Sequence, residues 1–198
     1  MRRLSAFAIA LVLLFAVGGA FVWSGIYDIG ADAPHWRVVE RLIATLRQRS
    51  IETRANGIAV PDLGDPKRIA QGAEHYAGMC TGCHLAPGMS STEVRAGLYP
   101  QPPALAEIAP LPPATAFWII KHGIKMTAMP AWGTTHDDDA IWNLVAFVRK
   151  LPGMTPEDYR ALTDAVSGGG EHEEHEHEHH HHDAAAGEPH GEDARSGR

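Results

Sequence analysis

The chain has 198 residues, enough for one modest domain with an extension at either end. Its formal net charge is −7, and residues 167–198 account for that excess, with nine acidic residues against two arginines. No basic stripe marks a nucleic-acid partner, and two cysteines in the whole chain exclude a disulfide framework or a zinc ribbon built on two cysteine pairs.

Arg2 and Arg3 precede a run from Leu4 to Tyr27 that carries no charge. As a helix, this run would span about 36 Å against a hydrocarbon core of about 30 Å. The run predicts a transmembrane anchor over residues 1–30, with the lipid bilayer as its partner. The arginines stay cytoplasmic under the positive-inside rule, so everything after Asp28 is expected on the far side. Trp23 and Tyr27 then fall at the outer interface. The competing reading is a cleaved signal peptide, with Leu4–Val17 as its apolar core and Gly18-Gly19-Ala20 as small residues for cleavage. Phe21, Val22 and Trp23 resume the apolar run and favour a retained anchor.

Residues 31–60 read as an amphipathic juxtamembrane helix and a connector. From His35 to Arg54, Trp36, Val39, Leu42, Ile43 and Leu46 recur at helical spacing, with Arg37, Arg41, Arg47 and Arg49 as polar surface. The apolar stripe predicts packing on the following domain or on the membrane; the arginines also suit a docking helix for a partner complex. Gly57 to Pro66 is the connector, rich in glycine and proline.

Residues 61–166 form the predicted folded domain. Asp65 can cap a helix with Pro66 at its first position. Gly72 inside that helix costs about 1 kcal/mol relative to alanine, which suggests close helix contact, and Tyr76 lies on the same face. The helix runs into Cys80-Thr81-Gly82-Cys83-His84, the C-x-x-C-H signature of covalent haem c attachment. The two thiols can bond the haem vinyl groups and the imidazole can reach the iron. A thioredoxin-like pair would need a preceding strand, and a helical pattern stands there instead.

Ala86 to Pro113 contains seven prolines and reads as a wrapping loop. Ala114–His122 predicts a short helix closed by Gly123. Asp137–Leu151 predicts the clearest helix, capped by Thr135, with Ile141, Leu144, Val145 and Val148 on its apolar face. A last helix starts at Thr155-Pro156 and ends near Val166. There is no internal repeat and no convincing strand, so the fold class is all-α.

A haem iron held by His84 takes a second protein ligand if the site transfers electrons, most often methionine. Met79 and Met89 are tied to the proximal side and Met154 lies past the helices, leaving Met126 and Met129. Pro130 biases Met129 toward extended backbone and stiffens its loop, which favours Met129; Met126 then reads as a packing residue. His75, His122 and His136 remain as bis-histidine alternatives.

The order helix, C-x-x-C-H, proline-rich loop, short helix, Met-Pro loop, amphipathic helix resembles the small monohaem cytochrome c family over Ile69–Leu151. It is similar to the c-type domains attached to respiratory oxidases and dehydrogenases. Ser24-Gly25-Ile26-Tyr27 and Asp32-Ala33-Pro34-His35-Trp36 look like a membrane-anchored bacterial subgroup. The resemblance implies a cytochrome c-like fold around one haem c held by Cys80 and Cys83, with His84 as proximal and Met129 as distal iron ligand. It also implies that the Gly72/Tyr76 face crosses the last helix near Trp142. Pro87 is expected to help supply the carbonyl that orients the proximal imidazole. Arg95, Tyr99 and Trp132 are candidates for contact with haem propionates or edges.

From Gly168 the composition changes. Residues 167–198 contain a run of glutamates and histidines with no apolar face, expected to be disordered. His172, His175, His177, His179, His180, His181 and His182 suit divalent metal capture, with copper, nickel or zinc as candidates.

The reading that unites these features is a single-electron carrier at the periplasmic face of the inner (cytoplasmic) membrane, working with redox partner proteins. No triad or carboxylate pair indicates an enzyme of its own. An electron-accepting subunit of a membrane dehydrogenase or oxidase, and a haem-based gas or metal sensor, are the alternatives.

Overall fold

The computed structural model describes residues 2–167, and the tail histidines assigned to metal capture lie outside them. Among the described residues every regular element is helical. α1 (Arg2–Ser24) is long and apolar enough to cross a membrane, properties it shares with a signal sequence, and none of it is buried. α2 (Arg37–Ala55) follows after a short linker.

The domain itself is built on the crossing of α3 (Pro66–Met79) and α7 (Asp138–Val148). Asp65 caps α3 by accepting from the Lys67 N–H, with Pro66 as its first residue, so the predicted start holds. Where the helices cross, Gly72 faces the backbone of Asn143: a Cβ there would meet the Asn143 carbonyl, with Phe147 Cβ at 2.8 Å. Only glycine permits this approach, which is what the costly mid-helix glycine implied. Beside the crossing, Ala73, Tyr76, Leu144, Phe147, Leu151 and Tyr159 form one buried cluster. α8 (Pro156–Ser167) contributes Tyr159 and closes that side. A second cluster joins α7 to α6 (Pro113–His122), where Phe117 stacks on Trp142 with centroids 4.1 Å apart.

Three expectations change. α7 is capped by Asp137, whose carboxylate accepts from the Ala140 N–H, and not by Thr135, which turns its hydroxyl to the Trp132 carbonyl. The helix also ends at Val148, short of Leu151. The wrapping loop contains a further helical turn, α5 (Glu93–Ala96), capped by Thr92. The α2 stripe, expected on the domain or on the membrane, is largely left uncovered by the domain. α2 packs on α6 through its C-terminal half, where Ile51 and Ala55 are buried, while Leu42 and Leu46 remain 69% exposed.

Candidate haem site

The attachment motif sits where α3 ends. Cys80 closes α3, its N–H donating to the Tyr76 carbonyl, and Thr81–His84 make one further turn, α4. Burial, reinforced by the Cys83 thiol that this turn brings close, pushes the Cys80 thiol up to about 12, so Cys80 is held as the neutral thiol. Neither cysteine is in a disulfide. Thr92 ties the turn down from outside: its hydroxyl donates to the Gly82 carbonyl while accepting from the Arg95 N–H.

The chain leaves α4 through Leu85, a buried residue at φ 63° and ψ 150°. That conformation is unfavourable for any residue with a Cβ. The Tyr76 hydroxyl holds it in place by donating to the Leu85 carbonyl at 2.7 Å. Tyr76 is itself completely buried, and burial raises its phenol well above the ordinary range, so it acts as a donor at all accessible pH.

His84 Nδ1 lies 2.9 Å from the Pro103 carbonyl. A carbonyl only accepts, so Nδ1 carries the proton and Nε2 is left with its lone pair. Burial, offset by that hydrogen bond and reinforced by nearby Arg95, lowers the imidazole pKa and keeps the ring neutral. The carbonyl that orients the ring therefore comes from Pro103, nineteen residues on, and not from the turn at Pro87. Pro103 is in turn steadied by its neighbours: Arg95 Nε donates to the Pro102 carbonyl, and the Leu105 N–H donates to the His84 carbonyl. The sequence contained a signal for this acceptor in the rigid Pro102-Pro103 pair, but nothing in it singled out the partner.

The Met-Pro loop hangs from the end of α6. Gly123, at φ 64°, lets the chain turn so tightly that a Cβ would sit 2.6 Å from both the Met129 carbonyl oxygen and the Pro130 carbonyl carbon. The Ile124 N–H donates to the Met129 carbonyl at 3.1 Å, and the Met129 N–H to the Thr127 hydroxyl. Met129 is thus held from both sides and is partly buried, whereas Met126, at the loop tip, is 88% exposed. The candidate histidines have other neighbours: His75 and His136 meet ring to ring at 5.6 Å, and His122 lies against Trp118. Of the expected edge contacts, Trp132 packs on the Phe117–Trp142 cluster, and Tyr99 accepts a hydrogen bond from the His35 N–H.

Two thiols one turn apart, a neutral imidazole with a free Nε2 and a tethered methionine are a donor set that fits haem c. An all-helical domain that carries them in this order resembles a c-type cytochrome domain. Residues 67–148, which include the motif, the Met-Pro loop and both crossing helices, match the family model described as cytochrome c oxidase, cbb3-type, subunit III. Such a domain binds haem c covalently and serves electron transfer. Comparisons with curated proteins and with solved structures return no match.

Proposed function

We propose that the protein is a membrane-anchored single-electron carrier, in which Cys80 and Cys83 hold the haem and His84 and Met129 ligate its iron. The observation that carries this reading is the His84–Pro103 hydrogen bond, which presents Nε2 as an oriented, neutral ligand and raises its basicity. When bound, the haem supplies an iron that gains and loses one electron. Cys80, Cys83, His84 and Met129 would hold the bound haem in the same surroundings before and after transfer, so that little would rearrange. Gly123 and Pro130 hold Met129 for this purpose, and Tyr76 and Thr92 hold the turn that carries the thiols and His84.

The domain boundaries follow the same reading: an anchor over 1–30, a juxtamembrane helix and connector over 31–60, the cytochrome over 61–166 and a His/Glu-rich tail over 167–198. The exposed, apolar α1 supports single-pass anchoring, and Arg2 and Arg3 before it support a cytoplasmic N-terminus with the haem on the periplasmic side. The description of the matched family favours one second reading, an electron-accepting subunit of an oxidase or dehydrogenase complex, and the arginines of α2 suit docking to such a partner. Haem staining after denaturing electrophoresis, followed by carbon monoxide addition to the reduced protein, tests the central claim. Retained haem and no rapid carbon monoxide binding are expected. Rapid binding would replace the carrier with a gas-binding protein. Co-purification from membranes separates a free carrier from a complex subunit.

A further inference from the structure

The linker between α1 and α2 meets the haem domain at Tyr99, four residues from the acceptor of the proximal imidazole. The Tyr27 hydroxyl and His35 Nδ1 share a 2.8 Å hydrogen bond, their rings stacked at 6.1 Å. The His35 N–H donates to the Tyr99 hydroxyl at 3.3 Å, and the His35 and Tyr99 rings meet edge to face at 5.3 Å. On the α1 side, Trp36 contacts Tyr27 at 5.0 Å and Phe21, inside α1, at 6.0 Å. Beyond Tyr99 the chain runs through Pro100, Gln101 and Pro102 to Pro103, whose carbonyl accepts from His84. Three prolines in five residues make this segment stiff, so a displacement of Tyr99 is transmitted to Pro103 and not absorbed between them.

We propose that Tyr27, His35 and Tyr99 form a latch that seats the cytochrome domain on the foot of α1 and, through the 99–103 segment, keeps the Pro103 carbonyl on His84. The three are positioning residues: none is placed at the iron. The haem half of this inference rests on the haem c reading above; the latch itself does not. The chemistry of the three residues suits the place. Tyrosine rings prefer a membrane–water boundary, and the T-shaped His35–Tyr99 pair supplies direction as well as burial. Release of the latch loosens the Pro103 acceptor, makes His84 a weaker donor to the iron and so destabilises the oxidised state.

The test uses the full-length, haem-loaded chain in phosphatidylcholine–phosphatidylglycerol nanodiscs, comparing wild type with Tyr27→Phe, His35→Ala and Tyr99→Phe. Tyr27→Phe removes one hydroxyl outside the haem domain and leaves that domain's fold untouched. Two quantities are read: amide hydrogen exchange over residues 98–105, and the midpoint potential. Exchange is expected to rise severalfold in all three variants, the potential to move upward, and the far-ultraviolet circular dichroism to stay constant. Unchanged exchange overturns the latch whether or not haem is present. Faster exchange with an unchanged potential overturns its link to His84. Absence of covalent haem on a denaturing gel would instead sink the haem c reading, leaving the exchange arm to decide the latch.

Discussion

Gly72 of α3 lies against the backbone of Asn143 in α7, so closely that an added Cβ would come within 2.6 Å of the Asn143 carbonyl carbon. This contact lets α3 deliver the C-x-x-C-H turn at a defined depth, because Arg68 and Gln71 on the same helix also bond the Asn143 side chain. Gly72→Ala must separate the helices. Overpacking of this kind costs about 1–3 kcal/mol, less a fraction returned by alanine's better helix propensity. Thermal unfolding of the haem-loaded protein should show a lower Tm, whereas Gly78→Ala, with nothing near its Cβ, should show none of this loss.

Gly123 makes the equivalent prediction for the distal side. Its positive φ and the Met129 and Pro130 backbone leave no space for a methyl group. Gly123→Ala should displace the Met-Pro loop and weaken or abolish the methionine–iron charge-transfer band of the oxidised protein. Gly153→Ala shares the positive φ but has an open Cβ position, so it should cost stability and leave the band in place.

The choice between the two loop methionines is read by the same band. Met129→Ala should lose it and open the sixth position to carbon monoxide in the reduced protein. Met126→Ala, which removes a side chain 88% exposed, should retain it. The reverse pattern would transfer the distal role to Met126.

Tyr76→Phe removes one buried hydroxyl and leaves the Leu85 carbonyl without its 2.7 Å donor. An orphaned buried acceptor costs about 1–3 kcal/mol, and here it also frees a strained backbone next to His84. Chemical denaturation should show that loss with the haem still attached. An unchanged midpoint would mean that the Leu85 conformation is held by packing alone.

Asp137→Ala should destabilise the domain by about 0.5–2 kcal/mol, the range for loss of a helix N-cap. Thr135→Val should cost less, because its hydroxyl serves the Trp132 turn and not α7. Urea unfolding of the two variants side by side decides the cap.

What could be read in advance were features with a local cause. The cap at Asp65, the helix start at Thr155-Pro156 and the stop at Gly123 depend on residues within a few positions of each other, and all three appear where the pattern places them. The α7 cap falls two residues beyond Thr135 because Thr135, Asp137 and Asp138 all offer suitable oxygens, and the competing turn at Trp132–Thr134 decides which is free. The single turn of α5 is too short to leave a periodic pattern. The α2 stripe shows the limit most clearly: periodicity established an apolar face, but only the position of α6 decided that Ile51 and Ala55 are covered while Leu42 and Leu46 are not.

By itself the sequence determined the chemistry and the order of the parts: an apolar helix, a two-thiol attachment motif with an adjacent imidazole, a methionine before a proline, and an all-α frame. Residue type and short-range spacing suffice for these, since they follow from covalent chemistry and backbone preference. The tertiary structure alone decided which carbonyl orients His84, which side chain holds Leu85, and where the linker between α1 and α2 touches the domain. Each of these contacts depends on the path of the chain between distant residues: nineteen positions from His84 to Pro103, nine from Tyr76 to Leu85, sixty-four from His35 to Tyr99. Packing of α3 on α7 fixes those paths, and no local preference encodes them.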